Sequence, residues 1–452
     1  MPEQVVDVVV VGGGGAGLFA AYAAARAGAK TVLLEKTDVV GGATSQSIGL
    51  FAASGSSLQA KRGIQDDPEA HCRDALAAGK RLSGTDNPEL TRLLADHAGE
   101  TMRELEELGV VFFGPMPHPE QSRDRIHGVL PNASSYIYHL QRAAWRAGVE
   151  IRTNAPVAKL LTEGDRVIGV QLGTPEAARF IARRGVILAS GDFSSDPVLK
   201  QNHCNLATAA IEGLVCQNTG DGHRLALSLG AEIVNGNLVN GPHLRFVPPK
   251  INFVTSLPPW SWLTRLMRWS LEHMPAWLLR PFLMMFLTST LGPEKDLFKH
   301  GAILVNQHGE RFTDEMAQPE FVIPTQPGKL AYILFDDRLA SQFNAWPHFV
   351  STAPGVAYAY VADYRRNRRD LYHRASNVPE LARRIGVPLR ALQATLDAYR
   401  RERPGGISAE GGLHALGPLK SWLLVTEGGV RVSTRLEVLK GGGKPIPGLY
   451  AA

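Results

Sequence analysis

The chain is 452 residues long, more than one hydrophobic core fills, because single cores stop growing at roughly 250–300 residues; two or more core-forming units are expected. Its composition of 44% hydrophobic and 20% charged residues with 46 glycines suits a soluble chain rich in tight turns, and three distant cysteines (Cys72, Cys204, Cys216) without CxxC spacing argue against a disulfide framework or a cysteine zinc site. A formal charge of +5 raises nucleic acid and anionic membrane as partners, but the densest basic run, Tyr364 to Asp370, has no recognition motif around it and reads as a solvated face; of the two, lipid fits better and no nucleic acid is expected.

In chain order, "MPEQVVDVVVVGGGG" lacks a basic n-region and its apolar run is broken by Asp7. It reads as a buried strand rather than a signal peptide, and a cytoplasmic location is expected. Val5 to Val11 form the β-branched run of a parallel strand buried on both faces. Gly12, Gly14 and Gly17 then satisfy GxGxxG, an alanine-rich helix follows and is closed by Gly28, and a second strand, "TVLLE", ends on Glu35. Gly12 permits the tight turn, Gly14 lets backbone approach a pyrophosphate, and Gly17 lets helix and strand meet closely. The helix N-terminus offers free N–H groups to phosphates, and Glu35 suits a ribose diol. Strand, helix, second strand and acidic end in register predict a dinucleotide site.

Next comes a second glycine pair, Gly41–Gly42, with the hydroxyl residues Thr44, Ser45 and Ser47. Pro88 to Gly109 has the pattern of an amphipathic helix with a proline start and a glycine stop. Val157 to Leu172 predicts a hairpin turned at Gly164–Asp165, and Val378 to Glu402 a helix pair around Gly386. Between them, Pro259 to Phe286 concentrates Trp260, Trp262, Trp269 and Trp277. Ser261, Arg265, Arg268 and Glu272 make a narrow polar helix face there. Pro275 is expected to end that helix and Pro281 to interrupt a second one. No uninterrupted apolar run approaches the ~18–20 residues of a membrane span. Three readings stay open: ordinary core, a lipid-facing or substrate-entry element lying in the headgroup region, and an oligomer interface.

These motifs resemble the fumarate reductase/succinate dehydrogenase flavoprotein family, including its ketosteroid-dehydrogenase-like branch. The glycine pair and hydroxyls after the acidic strand, "RGVILASGDF" (Arg184 to Phe193, with Asp192 for a usual Gly), "NTGDGHRLALSLGAEI" (Asn218 to Ile233), "GAILVNQHGERFTDE" (Gly301 to Glu315) and "GGVRVSTRLEVLKGGGKPIPGLYAA" match segments of that family. The resemblance implies an α/β fold: a Rossmann-like FAD-binding domain with an inserted α+β capping (substrate) domain. The expected parts are 1–242, the first part of the FAD-binding domain; 243–424, the cap, with an apolar insertion at 259–287; and 425–452, the second part. The family continues past "PGLYAA" with AGE and a glycine-rich helix, so that last part is expected to be C-terminally incomplete.

The same resemblance implies the cofactor contacts. They are Gly12, Gly14, Ala16 and Gly17 at the first turn, and Glu35 and Lys36 after the second strand. Gly41, Gly42, Ala43, Thr44, Ser47 and Gly49 follow at the second turn, with Val157 beside the adenine. Ser190 and Gly191 come after the returning strand, and Asp221 opens the TGDG helix. Some members attach FAD through a histidine just after the glycine pair; here the first histidine is His71, so FAD is expected to be non-covalent.

The chemistry implied is hydride exchange between flavin N5 and a carbon beside an activating carbonyl, with a second group moving a proton. The arginine that serves the dicarboxylate branch falls at Pro319, and the ketosteroid branch's tyrosine aligns near the same proline. The branch's His-Pro becomes Pro242–His243, and its histidine pair becomes Leu424–Val425 before Thr426. These losses argue against fumarate or succinate and, with the tryptophan stretch, for a hydrophobic, steroid- or lipid-like substrate. His243 and Tyr136, from a segment that also holds Tyr138, are the candidate catalytic residues; Arg311 and Glu315 read as a paired charge holding the cap. Two alternatives stand beside this one: a fumarate-reductase-like enzyme for a small organic acid, and a membrane-associated FAD electron-transfer subunit. No GxSxG elbow supports hydrolysis, no metal ligand is assigned, and the external electron donor or acceptor is not legible.

Overall fold

The computed structural model describes residues 3–81, 86–249, 256–353, 357–408 and 411–452. β1 (Glu3–Val11) lies between parallel neighbours, β2 (Thr31–Leu34) on one side and Arg179–Leu188 on the other. Burial from both faces explains the unbroken β-branched run; Val9 and Val10 are fully buried. α1 (Gly15–Arg26) connects β1 to β2, and Gly28 follows it at φ +83°. Pro445–Ala451 returns from the far end of the chain to pair in parallel with Arg179–Leu188, and Glu150–Arg152 extends the other edge beside β2. Glu437–Leu439 and the hairpin Val157–Glu163/Arg166–Leu172, turned through Gly164 at φ +55°, complete eight strands. The fold is α/β.

A second, six-stranded sheet is organised on the long strand Leu413–Leu423. Ala331–Asp336, Tyr372–Ala375 and His243–Phe246 pair with it antiparallel and Glu212–Gly213 parallel, while Ile303–Val305 pairs with Ala331–Asp336. Its core gathers Phe246, Leu297, Phe298, Ile333 and Phe335 with Met284 and Leu287. The helix pair around Gly386, at φ +71°, is Val378–Ile385 and Leu389–Glu402. The two sheets are joined by a short ribbon in which Val239 and Asn240 pair with Thr426 and Val425.

Two local expectations are corrected. Pro281 does not interrupt its helix, which runs from Ala276 to Thr290 with the proline inside. Only the bond its missing N–H would have made to the Trp277 carbonyl is lost, and packing of Met284 and Leu287 in the core holds the rest. The basic run is not wholly solvated either. Arg365, Arg366 and Arg369 are exposed, but Arg368 is buried, donating to Thr288 O at 3.0 Å and Val247 O at 2.6 Å. The same guanidinium pairs with Asp370 at 3.0 Å, so one buried arginine serves two backbone carbonyls and a carboxylate. The other insertion helix, Ser261–His273, ends two residues before Pro275 as its spacing predicts. Among the described residues no helix is long and apolar enough to cross a membrane.

Candidate functional site

The first turn is built by exclusion. Gly12 sits at φ +109°, and a Cβ there would lie 2.3 Å from the Ala189 carbonyl oxygen; one on Gly17 would lie 1.9 Å from the Gly12 carbonyl oxygen. Neither position accepts a side chain. Gly14 differs: a Cβ there meets nothing within 4 Å. The space that Gly14 leaves opens in front of the α1 N-terminus, where Ala16 is exposed. Among the described residues no acceptor takes the Ala16 and Gly17 amides. An open crevice facing unpaired amides and the positive end of a helix fits a pyrophosphate.

Glu35 stands at the end of β2, 8% exposed. Oε2 accepts from Gly13 N at 2.7 Å, and Oε1 from Thr37 N and Oγ1 at 2.9 Å each. The carboxylate therefore braces the glycine turn, and Oε2, with one bond made, retains a lone pair for a ribose hydroxyl. Asn154 N and Ala155 N donate to the Thr37 and Glu35 carbonyls, which brings Val157 beside this acidic end.

The second glycine turn is stitched to the first. Gly41 N donates to Gly13 O at 2.9 Å, and Gly15 N to Thr44 Oγ1 at 3.1 Å. Gly41 (φ +145°) and Gly42 (φ +49°) open the short helix α2 (Gly42–Gln46), which contains Ala43. Ser47 Oγ donates to Thr44 O and accepts from Gly49 N. On the far side, Ser190 Oγ accepts from Gly222 N at 2.9 Å, and Ser190 leads into Gly191. Lys36 Nζ donates to Thr219 Oγ1 and Asp221 Oδ2, both at 2.6 Å. Hydrogen bonds thus tie the first glycine turn to Glu35 and to the second turn, Lys36 to Asp221, and Ser190 to the start of the TGDG helix. The residues present fit FAD: glycine space and helix amides for phosphates, a carboxylate for ribose, hydroxyls along the second turn.

Sequence reading missed several members of this network. Gly13 is the donor that Glu35 holds. Thr219 completes the Lys36–Asp221 link. Asp192, seen only as a departure from glycine, accepts from Thr426 N at 2.9 Å and from Ser194, tying the seam between the two sheets. His223 lies buried against Phe193 and His203 with neither ring nitrogen partnered among the described residues, and burial lowers its pKa.

The candidate catalytic pair separates. Tyr136 is buried, its hydroxyl donates to Gly49 O at 3.1 Å, and burial pushes its pKa up. His243 begins a cap strand at the seam, with Nε2 at 2.9 Å from Asn240 Oδ1. Tyr138 turns outward under Arg142. Arg311 grips Glu315 through two bonds of 3.0 and 2.8 Å, and Glu315 also accepts from Leu304 N, an internal tie of the cap.

A family model described as "FAD binding domain" matches residues 7–252 and 274–452, leaving between them the stretch that holds the helix Ser261–His273. The chain is 27% identical over 470 residues to the NADH:fumarate oxidoreductase of Klebsiella pneumoniae, covering 99% of this chain and 44% of that protein. It is 24% identical over 478 residues to a probable fumarate reductase of Shewanella frigidimarina, covering 100% of this chain and 70% of the relative. Among solved structures it is similar in fold to the open conformation of a flavocytochrome c3 fumarate reductase, with a TM-score of 0.72 at 24% identity over 100% of this chain and 73% of that one. The chain therefore spans less than half the length of the first relative.

Proposed function

This chain belongs to the FAD-binding-domain family and binds FAD, and from that premise we propose that it is an oxidoreductase acting on a carbon–carbon bond beside a carbonyl of a hydrophobic, steroid- or lipid-like substrate. FAD, when bound, supplies hydride exchange at N5. In this reading 1–242 and 425–452 hold the cofactor, 243–424 covers it, and substrate lies at the seam. One observation carries the apolar assignment: Leu424 and Val425 line the ribbon at that seam, held by Leu424 N to Asn240 O at 2.9 Å and Thr426 N to Asp192. Neither side chain pairs with a carboxylate, nor does Pro319, buried at the start of its short helix.

The proton is assigned to His243. Asn240 Oδ1 takes the Nε2–H and leaves Nδ1 as an acceptor. Lost hydration first, and the Arg245 charge second, lower the imidazole pKa from its ordinary value, so the ring is neutral near pH 7 and suits a general base in dehydrogenation. Tyr136 is assigned a positioning role, holding the Gly49 turn. His243→Ala is expected to lower kcat about 10²–10⁴-fold with FAD content unchanged. In the wild-type chain dehydrogenation should fall as pH drops through the lowered imidazole pKa, since the protonated ring accepts nothing. An unchanged kcat in the variant removes the assignment.

A second reading, a small organic acid on a rearranged clamp, is favoured by Arg245. It faces the same side of the cap sheet as His243, lies half-buried, and has no carboxylate partner among the described residues; lost hydration lowers its pKa. An unpaired guanidinium in such a position suits a substrate carboxylate. The chain, reduced anaerobically, separates the readings when offered steroid enones, lipid enones and fumarate. Reoxidation by the enones is expected. Reoxidation by fumarate alone, lost in Arg245→Ala, establishes the second reading, and transfer only to a quinone or partner protein makes the chain an electron-transfer subunit.

Residues 259–287 are proposed to rest in the headgroup region of a membrane. Trp262, Trp277 and Phe282 are 63%, 73% and 69% exposed. A cavity of about 940 Å³ beside them is lined by Arg142, Arg265, Tyr138 and Trp260, and aromatic rings with arginines suit an anionic interface. The wild-type chain should float with anionic liposomes, and Trp262→Glu/Trp269→Glu should not. Equal flotation discards the idea.

A further inference from the structure

Far from the FAD crevice, the cap gathers three metal-ligating side chains that the chemistry above does not use. Asp296 opens the short helix Asp296–Lys299, and His300 caps it one turn later, so both project on one side. His348 arrives from the segment after the helix Asp337–Gln342. That segment is fixed by Glu294 N to Val350 O at 2.7 Å and His348 N to Ala345 O at 3.0 Å.

One ligand atom from each of the three residues lies within 4.8 Å of the others. Asp296 Oδ2 stands 3.1 Å from His348 Nδ1 and 3.6 Å from His300 Nδ1. Zinc bonds of about 2.0–2.1 Å in a tetrahedron put neighbouring ligand atoms roughly 3.3 Å apart. The two measured separations bracket that edge. The side chains are 26–38% exposed, enough for an ion to enter and to keep a water in the fourth position.

The surroundings suit ligation. Gln342 Nε2 lies 3.2 Å from His348 Nε2. With the amide turned, its oxygen would accept the Nε2–H of an imidazole bound through Nδ1, the outer contact that orients metal-binding histidines. Phe343 stands against both rings, at centroid distances of 5.6 and 5.3 Å. His300 Nδ1 now bonds the Asp296 carbonyl at 2.9 Å, so an ion taking that nitrogen replaces this hydrogen bond and leaves the ring proton on Nε2. The two imidazoles are borderline ligands that outnumber the one hard carboxylate and favour Zn²⁺ over Mg²⁺ and Ca²⁺.

We propose that Asp296, His300 and His348 bind one Zn²⁺ in the cap, clipping the helix Asp296–Lys299 to the 345–350 segment without taking part in electron transfer. Sequence spacing conceals it, since two ligands sit four residues apart and the third lies on another segment. The test uses the full FAD-loaded chain, stripped with chelator and titrated calorimetrically with ZnCl₂ and, separately, CaCl₂. Wild-type chain should bind Zn²⁺ saturably at one per chain, with a rise in Tm, and ignore Ca²⁺. His348→Ala and His300→Ala should weaken binding at least tenfold and lose the Tm rise. Asp296→Asn, which keeps shape and hydrogen bonding, should weaken it too, and flavin absorbance reports that each variant is folded. Equal Zn²⁺ binding in the variants, no saturable binding by the wild-type chain, or equal response to Ca²⁺ overturns the site.

Discussion

Gly14→Glu is expected to give a folded chain without flavin. Most substitutions in a glycine-rich turn fail because the backbone has no room, as at Gly12 and Gly17, where a Cβ would come within 2.3 and 1.9 Å of carbonyl oxygens. Gly14 escapes that limit, since nothing of the protein lies within 4 Å of its would-be Cβ. Its φ of −75° is also one any residue adopts. The carboxylate would enter the space in front of the α1 N-terminus, take up the free amides and repel a pyrophosphate. FAD affinity should drop at least tenfold, about 1.4 kcal/mol, and the purified protein should be colourless. Its unfolding midpoint should match that of wild-type chain stripped of FAD. Gly17→Ala gives the contrast: flavin and fold lost together. Retained yellow colour in Gly14→Glu would show that the phosphates lie elsewhere.

The second large effect is on stability, at Arg125. This guanidinium is fully buried and pairs with Asp66 at 2.8 Å and Asp74 at 2.5 Å. It fastens the helix Pro68–Arg81 and its approach to the strand Ile126–Leu130. Burial alone would raise both carboxyl pKa values. Hydrogen bonds from Arg125 and Gln59 to Asp66, and from Ser122 and Arg125 to Asp74, outweigh it and hold both below the usual range. Arg125→Met leaves Asp66 buried and uncompensated, a loss of about 3–5 kcal/mol, read from the urea midpoint. The pH dependence identifies the cause. In the wild-type chain the depressed carboxyls contribute fully above the unfolded carboxylate value of about 4 and lose that contribution as pH falls through their lower folded values. In the variant the unpaired Asp66 gains by neutralising, so the deficit should shrink as pH is lowered. A deficit independent of pH would make the loss one of packing.

What the sequence made legible follows from range. The β1–α1–β2 unit, the second glycine turn and the TGDG helix are constrained by their own backbones, so short motifs identify them. Glu35 is legible for the same reason, lying one crossover from the glycines. Asp192 is not: its bond to Thr426 spans 234 residues, and nothing local marks an aspartate as a seam. Arg125 and Asp66, 59 residues apart, have the composition of surface residues and become core only through each other. Arg368 hid in a run of arginines whose neighbours are solvated. Tyr136 shows another limit of local reading, since a tyrosine in a segment near the cofactor suggests chemistry, while its bond to the Gly49 carbonyl spans 87 residues.

The tryptophan helices have a mechanical consequence. The first abuts the cofactor side, where Asn132 Nδ2 donates to Leu257 O just ahead of it. The second is rooted in the cap through Met284, Leu287 and the Arg368 bond to Thr288. Met274–Pro275 is the joint between them. The ribbon of residues 239–240 against 425–426 and the pairing of Glu212–Gly213 with Trp422–Leu423 also join the two parts. On the membrane contact proposed above, a surface that seizes the first helix would fix one arm of that linkage, and any rotation of the proposed cap would flex the joint. Under that proposal, where the protein rests and how far it gapes would become a single variable, and attachment would set the pace of turnover even for a substrate dissolved in water.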